Sequence, residues 1–167
     1  LEEYLLPLRP GTAELNIVQG DALRLPFPDD PYKIVANIPY EITSPLLRHA
    51  FLASRRAPTS LTLLIQREVA EKICQASAQT LSERSESKGV RENRGMLAIL
   101  VQLFGNPRIV RRVPAGAFLP PPKVESAILH IACHQKPLAD PATLDEVFAL
   151  TRLAFGKKRK MLRGTVG

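Results

Sequence analysis

An α/β fold follows from the way apolar runs and helix-like segments alternate along the first half of this 167-residue chain. Lys33 to Ile38, which runs into a polar turn, and Leu61 to Ile65 are short apolar runs, the pattern of buried strands. Ser44 to about Ser54 and Arg67 to about Ala76 follow them with helical spacing. Strand, turn, helix, strand, helix predicts a parallel sheet with crossover helices, whose ligands gather at the carboxyl ends of the strands.

Leu1, Tyr4, Leu5 and Leu8 read as the tail of an amphipathic helix, which Pro10-Gly11 breaks. Leu15 to Val18 is a further candidate buried strand, running into the Gln19-Gly20-Asp21 turn. Ser44 is the expected N-cap of the following helix, with Pro45 at its first position. Gln79 to Arg94 is dense in Ser, Glu and Arg, and reads as an exposed, disordered insertion. Met96 to Phe104 is an apolar helix stopped by Gly105. Arg108 to Val113 and Val124 to His130 read as strands joined by a proline-rich loop. Pro120 to Pro122 cannot sit in a central strand, so that loop lies at an edge or over a site. Residues 134–142 form a linker, and a last helix starts near Thr143 with a capping box to Glu146.

Composition narrows the function classes. At 45% hydrophobic and 23% charged residues, the chain is neither an acidic disordered segment nor a coiled coil. No apolar run approaches the roughly 20 residues of a membrane span. The opening residues carry acids where a secretory signal is basic, which predicts a cytoplasmic protein without a signal peptide. Cys74 and Cys133 have no CxxC spacing, and His49, His130 and His134 no ligand spacing, so no metal is expected. Residues 1–75 hold 8 Lys/Arg against 9 Asp/Glu, whereas residues 76–167 hold 15 against 7. The whole surplus of the +7 net charge therefore sits in the second half, which favours a polyanion, nucleic acid before membrane.

The strongest chemical signal is Asn37-Ile38-Pro39-Tyr40 at the end of the second candidate strand. The Asn37 side-chain oxygen and the Pro39 carbonyl can both accept from an exocyclic amine, leaving its lone pair available for attack. The Tyr40 ring can stack on a heterocycle, as an extruded base requires. An ordinary Asn-containing turn gives the same four residues a purely structural meaning.

Four stretches in a fixed order give that motif its context. They are Gln19-Gly20-Asp21-Ala22-Leu23; Asn37 to Tyr40 with Ile42-Thr43-Ser44-Pro45-Leu46-Leu47; Leu64 to Lys72; and Phe118 to Ala127. Together they resemble the ribosomal small-subunit RNA adenine dimethyltransferases, enzymes that use S-adenosylmethionine to form N6,N6-dimethyladenosine. Ala154 to Leu162 is similar to that family's helical carboxyl-terminal region. The resemblance implies a Rossmann-like methyltransferase core over 1–133, the linker, and the start of a helical RNA-binding domain over 143–167. It implies that Asp21 and Ala22 sit beside the adenine of S-adenosylmethionine and that Asn37 borders both cofactor and target. It further implies that Tyr40 and Phe118 sandwich the flipped adenine, with Asn37 and Pro39 holding its amine. Arg108, Arg111, Arg112, Lys123, Lys157, Lys158, Arg159 and Lys160 are the candidate RNA contacts. The implied partner is the precursor of the small ribosomal subunit, met by a protein that is monomeric when complete.

The chain departs from the family's pattern in two places. The glycine-rich loop after the first strand and the acidic residue after the second have no counterpart here, and the helical region stops at Gly167. The expectation is a core lacking its first strands, truncated at both ends, with an open apolar edge and weak or no binding of S-adenosylmethionine by itself. Two alternatives share parts of the pattern. The macrolide-resistance methyltransferases act on large-subunit RNA with similar chemistry, and a degenerate copy would bind RNA without catalysis. Ile38 argues against the DNA adenine methyltransferases, which carry proline at that position.

Overall fold

A computed structural model of the chain describes residues 16–80 and 96–139, with the isolated positions 143, 146 and 149. The elements are β1 (Lys33–Asn37), α1 (Thr43–Arg48, prolonged by a π-helical turn over His49–Ala53), β2 (Ser60–Gln66), α2 (Arg67–Thr80), α3 (Met96–Phe104), β3 (Gly105–Val113) and β4 (Ser126–Cys133). They form one four-stranded sheet in the order β1-β2-β4-β3.

The sheet is mixed rather than parallel. β1 and β2 run parallel, Ile34 beside Leu61 and Asn37 beside Leu64, with α1 as the crossover. β4 returns antiparallel between β2 and β3, Leu63 opposite Leu129 and Ile109 opposite Leu129. The reason is connection length. α3 runs straight into β3, and β3 reaches β4 through residues 114–125, which hold only the short 3-10 turn Ala115–Ala117 and no helix long enough to cross over. Between Ile109 and Arg111 the β3–β4 register shifts by a bulge at Val110.

One face of the sheet makes the core. Leu61, Leu63 and Ile65 of β2 and Ala127, Leu129 and Ile131 of β4 are fully buried against Leu47, Ala50 and Phe51 of α1, Ile73 of α2 and Val101 and Phe104 of α3. Each such Leu or Ile contributes about 1.5–3 kcal/mol relative to exposure. Phe51 and Phe104 stack with ring centroids 4.9 Å apart, joining α1 to α3. On the opposite face the side chains are half-buried, and Thr62 Oγ1 meets His130 Nδ1 at 2.9 Å.

Several expectations are corrected. β1 is an outer strand among the described residues, so it alternates instead of burying both faces, and Val35 is 81% exposed. Ile17 and Val18 form no strand, and Leu15 lies outside the described residues. α1 begins at Thr43 with Ile42 as its cap, not at Ser44. A 3-10 turn over Tyr40–Ile42 feeds straight into the helix, and Thr43 Oγ1 donates to the Tyr40 carbonyl at 2.9 Å. β4 begins at Ser126 and runs to Cys133, since Val124 and Glu125 still belong to the loop. β3 begins at Gly105 rather than Arg108. Gln79 and Thr80 lie in α2, so the polar insertion begins later than expected. The first helix, the rest of the insertion and the basic stretch at 157–160 lie outside the described residues.

Gly105 ends α3 as expected, but its reason is close approach. A Cβ there would stand 2.7 Å from the Ala132 carbonyl oxygen and 2.8 Å from Ile131 Cγ2. Gly105→Ala should therefore cost about 1–3 kcal/mol through displacement of β3 from β4. A lower denaturant midpoint at unchanged m-value checks this.

Past β4 the chain stays attached to the core. The His134 N–H donates to the Phe104 carbonyl at 2.8 Å and the Leu138 N–H to that of Leu103 at 2.9 Å, so the described part of residues 134–142 lies along the end of α3.

Candidate active site

The site forms where β1 ends. Asn37 is its last residue, Ile38 anchors the turn at 9% exposure, and Pro39 holds φ −54° and ψ 135°. That extended proline turns the chain away from the sheet and starts the 3-10 turn that carries Tyr40. The opposite wall is the proline-rich loop before β4. Asn37, Ile38, Pro39, Tyr40, Phe118, Pro120 and Pro122 line one open cavity of about 400 Å³. The expected strand-end motif and proline loop, some 80 residues apart in sequence, thus meet over one cavity.

The lining holds no Asp, Glu, His, Lys, Arg or Cys side chain. Its polar groups are the Asn37 amide, the Tyr40 hydroxyl and backbone carbonyls. Among the described residues the Asn37 side chain has no hydrogen-bond partner, and Asn37 is exposed at the strand end. The Pro39 carbonyl already accepts from the Ile42 N–H at 3.1 Å, which leaves it one lone pair for a ligand. A neutral, amide- and ring-lined cavity suits a flat heterocycle carrying an amine better than an ion. Burial pushes the Cys133 thiol up to about 11 and raises that of Cys74 as well, so both stay protonated and neither is a nucleophile near neutral pH. Among the described residues no group of three His, Cys, Asp or Glu could hold a metal ion.

Asp21 and Ala22 are exposed and are not part of the cavity lining. The Asp21 carboxylate is occupied in its own turn, accepting from the Leu23 N–H at 2.9 Å and pairing with Arg24 at 3.4 Å. Arg108, Arg111 and Lys123 are exposed, while Arg112 donates to Glu71 at 3.2 Å. A larger concavity of about 810 Å³ lies at the other end of β2, lined by Arg55, Arg56, Thr59, His134 and Lys136 among others, and includes none of the expected site residues.

Two features of the site were missed in the sequence. Tyr40 Oη and Ser126 Oγ are 2.6 Å apart, 86 residues distant in the chain. Arg67, at a helix start that the family resemblance implies supports the site, does so through a partner the sequence does not show: it donates its N–H to the Glu125 carbonyl at 2.9 Å and its guanidinium to the Glu125 carboxylate, and also pairs with Glu71 at 3.2 Å. A polar residue opening an otherwise apolar strand was the only available signal for Ser126.

Comparison with known proteins decides the family. The family model described as ribosomal RNA adenine dimethylase matches residues 7–166. This chain belongs to the ribosomal RNA adenine dimethylases. Among curated relatives of this dimethylase, the ribosomal RNA small subunit methyltransferase A of Dehalococcoides mccartyi strain CBDB1 is 39% identical over 134 residues, 80% of this chain and 41% of the relative. The protein of the same name from Jannaschia sp. strain CCS1 is 42% identical over 160 residues, 91% of this chain and 50% of the relative. This dimethylase chain thus spans about half the length of the curated relatives it matches. Among solved structures, a dimethyladenosine transferase from Plasmodium falciparum superposes with a TM-score of 0.72 at 30% identity, over 98% of this chain and 53% of that one. The 23S rRNA methyltransferase ErmE superposes at 0.70 with 22% identity, over 99% and 59%, which shows the shared Rossmann-like methyltransferase fold alone. No described helix is long and apolar enough to cross a membrane.

Proposed function

We propose that this chain carries the base-binding part of an adenine N6,N6-dimethyltransferase that uses S-adenosylmethionine to modify adjacent adenosines of small-subunit ribosomal RNA during ribosome biogenesis in the cytoplasm. The observation that carries this reading is the cavity in which the Asn37 amide, unpartnered among the described residues, the Tyr40 ring and Phe118 converge at the carboxyl end of β1. The names of the curated relatives support the small subunit over the large one.

In this reading the adenine leaves its stack and enters between Tyr40 and Phe118. The Asn37 side-chain oxygen and the free lone pair of the Pro39 carbonyl accept the two amine hydrogens, which draws the nitrogen toward tetrahedral geometry and holds its lone pair toward the methyl donor. These acceptors would also stabilise the positive charge that grows on the nitrogen as its bond to the methyl carbon forms and the carbon–sulfur bond breaks, and the surplus proton leaves to water at the open mouth of the cavity. S-adenosylmethionine supplies an electrophilic methyl group on a sulfonium, so no covalent nucleophile or metal is required of the protein. The residues that would hold it here are Asn37, at the cavity, and Asp21, whose exposed carboxylate keeps lone pairs beyond those used in its turn, with Ala22 alongside. Positioning is the main contribution of these groups. Arg108, Arg111 and Lys123, with Lys157 to Lys160 beyond the described residues, supply phosphate contacts; Arg112 contributes less because Glu71 engages it. Residues 1–133 act as the catalytic core and residues 143–167 as the start of an RNA-binding helical domain, in a protein that works as a monomer.

The test is methyl transfer from labelled S-adenosylmethionine to undermethylated small and large ribosomal subunits, with the amino-terminal part of a curated relative joined ahead of this chain. Label confined to small subunits is expected. Label in large subunits would redirect the reading to the macrolide-resistance type, and no label from a folded, donor-binding chimera would overturn it. The engagement of Asp21 in its own turn favours a second reading, an RNA-binding module without catalysis. Calorimetric titration of the unaltered chain with S-adenosylmethionine separates the two: binding lost on Asp21→Ala supports the enzyme, and RNA binding indifferent to the donor supports the module.

A further inference from the structure

The two walls of the cavity are tied together by one hydrogen bond. Tyr40 stands on the turn after β1, whereas Ser126 is the first residue of β4, where the loop carrying Phe118, Pro120 and Pro122 ends. Their hydroxyl oxygens are 2.6 Å apart, and Ser126 is fully buried. The neighbouring Glu125 is fastened to the start of α2 by the Arg67 N–H at 2.9 Å and by the Arg67 guanidinium. The loop therefore enters the sheet at a fixed point, and that point also grips the far end of the Tyr40 ring.

A serine at this place is not explained by packing. It lies on the side of β4 shared by Ile128 and His130, opposite the core face of Ala127, Leu129 and Ile131, yet it is fully buried where those two neighbours are half-buried. Burying a hydroxyl there gains nothing unless it is bonded, and an aliphatic residue would fill the position at least as well. What the hydroxyl adds is geometry. A tyrosine ring is carried by two side-chain torsions, and a bond at its distal oxygen fixes the direction in which the ring projects. The ring is then set before a base arrives, at a distance from Phe118 governed by the same strand entry.

We infer that Ser126 is a positioning residue: through the Tyr40 hydroxyl it holds the tyrosine ring in the stacking position and couples it to the proline loop. This rests on the reading of the cavity as an adenine site. Ser126 touches no substrate and acts only through Tyr40.

The experiment uses the 167-residue chain with a short single-stranded oligoribonucleotide that carries 2-aminopurine, whose fluorescence is quenched on stacking against an aromatic ring. Affinity and the depth of quenching at saturation are read separately. Tyr40→Phe keeps the ring and loses the bond, and Ser126→Ala loses the bond from the other side. Each is expected to lower saturating quench by about twofold or more while affinity stays within about threefold, since phosphate contacts dominate binding. The double variant should fall no further than either single one, because both remove the same interaction. If Ser126→Ala fails to fold, Tyr40→Phe carries the test on its own. Full quenching in Tyr40→Phe together with loss of quenching in Tyr40→Ala would overturn the positioning role and leave the base site standing. Unchanged quenching in Tyr40→Ala, or none with the unaltered chain, would overturn the base site and the positioning role with it.

Discussion

Asn37→Ala should lower methyl transfer by about 10²–10³-fold in a protein that joins this chain to the amino-terminal part of a relative, the size of effect seen when one preorganised charge-stabilising group is removed. Asn37 is exposed at the end of β1 and bonded to nothing among the described residues, so its loss leaves the core intact. RNA affinity should change little, because phosphate contacts dominate it. Single-turnover transfer of labelled methyl groups, with RNA binding measured alongside, separates the two quantities. Asn37→Asp keeps an acceptor oxygen in place and should retain more activity than alanine. Equal loss in both variants would mean that the amide nitrogen is what matters, and loss of RNA binding in step with rate would remove Asn37 from the chemical step.

Phe51→Ala should destabilise the fold by about 3–5 kcal/mol, the range for removing a large buried aromatic side chain. Phe51 is 4% exposed and stacks on Phe104, also 4% exposed, across the junction of α1 and α3. Part of the loss is transfer of the ring, and part is the void left beside Phe104. Total stabilities of about 5–15 kcal/mol are usual for domains, so this one change should take away roughly a fifth or more of the reserve. Urea denaturation followed by far-UV circular dichroism checks it. A change below about 1 kcal/mol would mean that the helical layer repacks freely around the vacancy.

The parts of this fold that could be read from sequence were those in which one local signal sufficed. Met96 to Phe104 is apolar throughout and ends where Gly105 follows, and Leu61 to Ile65 is a short apolar run between polar residues; both elements are present. The motif from Asn37 to Tyr40 lies at a strand's carboxyl end, and the proline loop lies over it, as the sequence implied. The direction of β4 was illegible because no residue states whether a strand returns parallel or antiparallel; that is settled by the length and content of residues 114–125. The apolar run of β1 by itself reads as a buried strand, because such a run looks the same on an outer strand as on an inner one; its open edge was expected only from the family resemblance. Ser126 went unread because its meaning depends on Tyr40, 86 residues away. Asp21 shows the converse: its turn-forming character was visible, and the structure uses its carboxylate for that purpose.

The bulge at Val110 sorts three arginines. Arg108 lies opposite His130 and Arg111 opposite Ile128, two rungs along the same side of β4, so both stand on the face away from the helices. Two rungs of strand span about 7 Å, so the two guanidiniums can meet one phosphate backbone together. Arg112, opposite Ala127, falls on the helical side and meets Glu71 there. Had Val110 taken its own rung, Arg111 would face the helices and Arg112 the open side, exchanging the cation that a carboxylate neutralises. The strand therefore reads in two frames, and one residue between them decides which charges are free for a polyanion. Excising Val110 closes the frame without moving either side's arginines, whereas adding a residue beside it would exchange them.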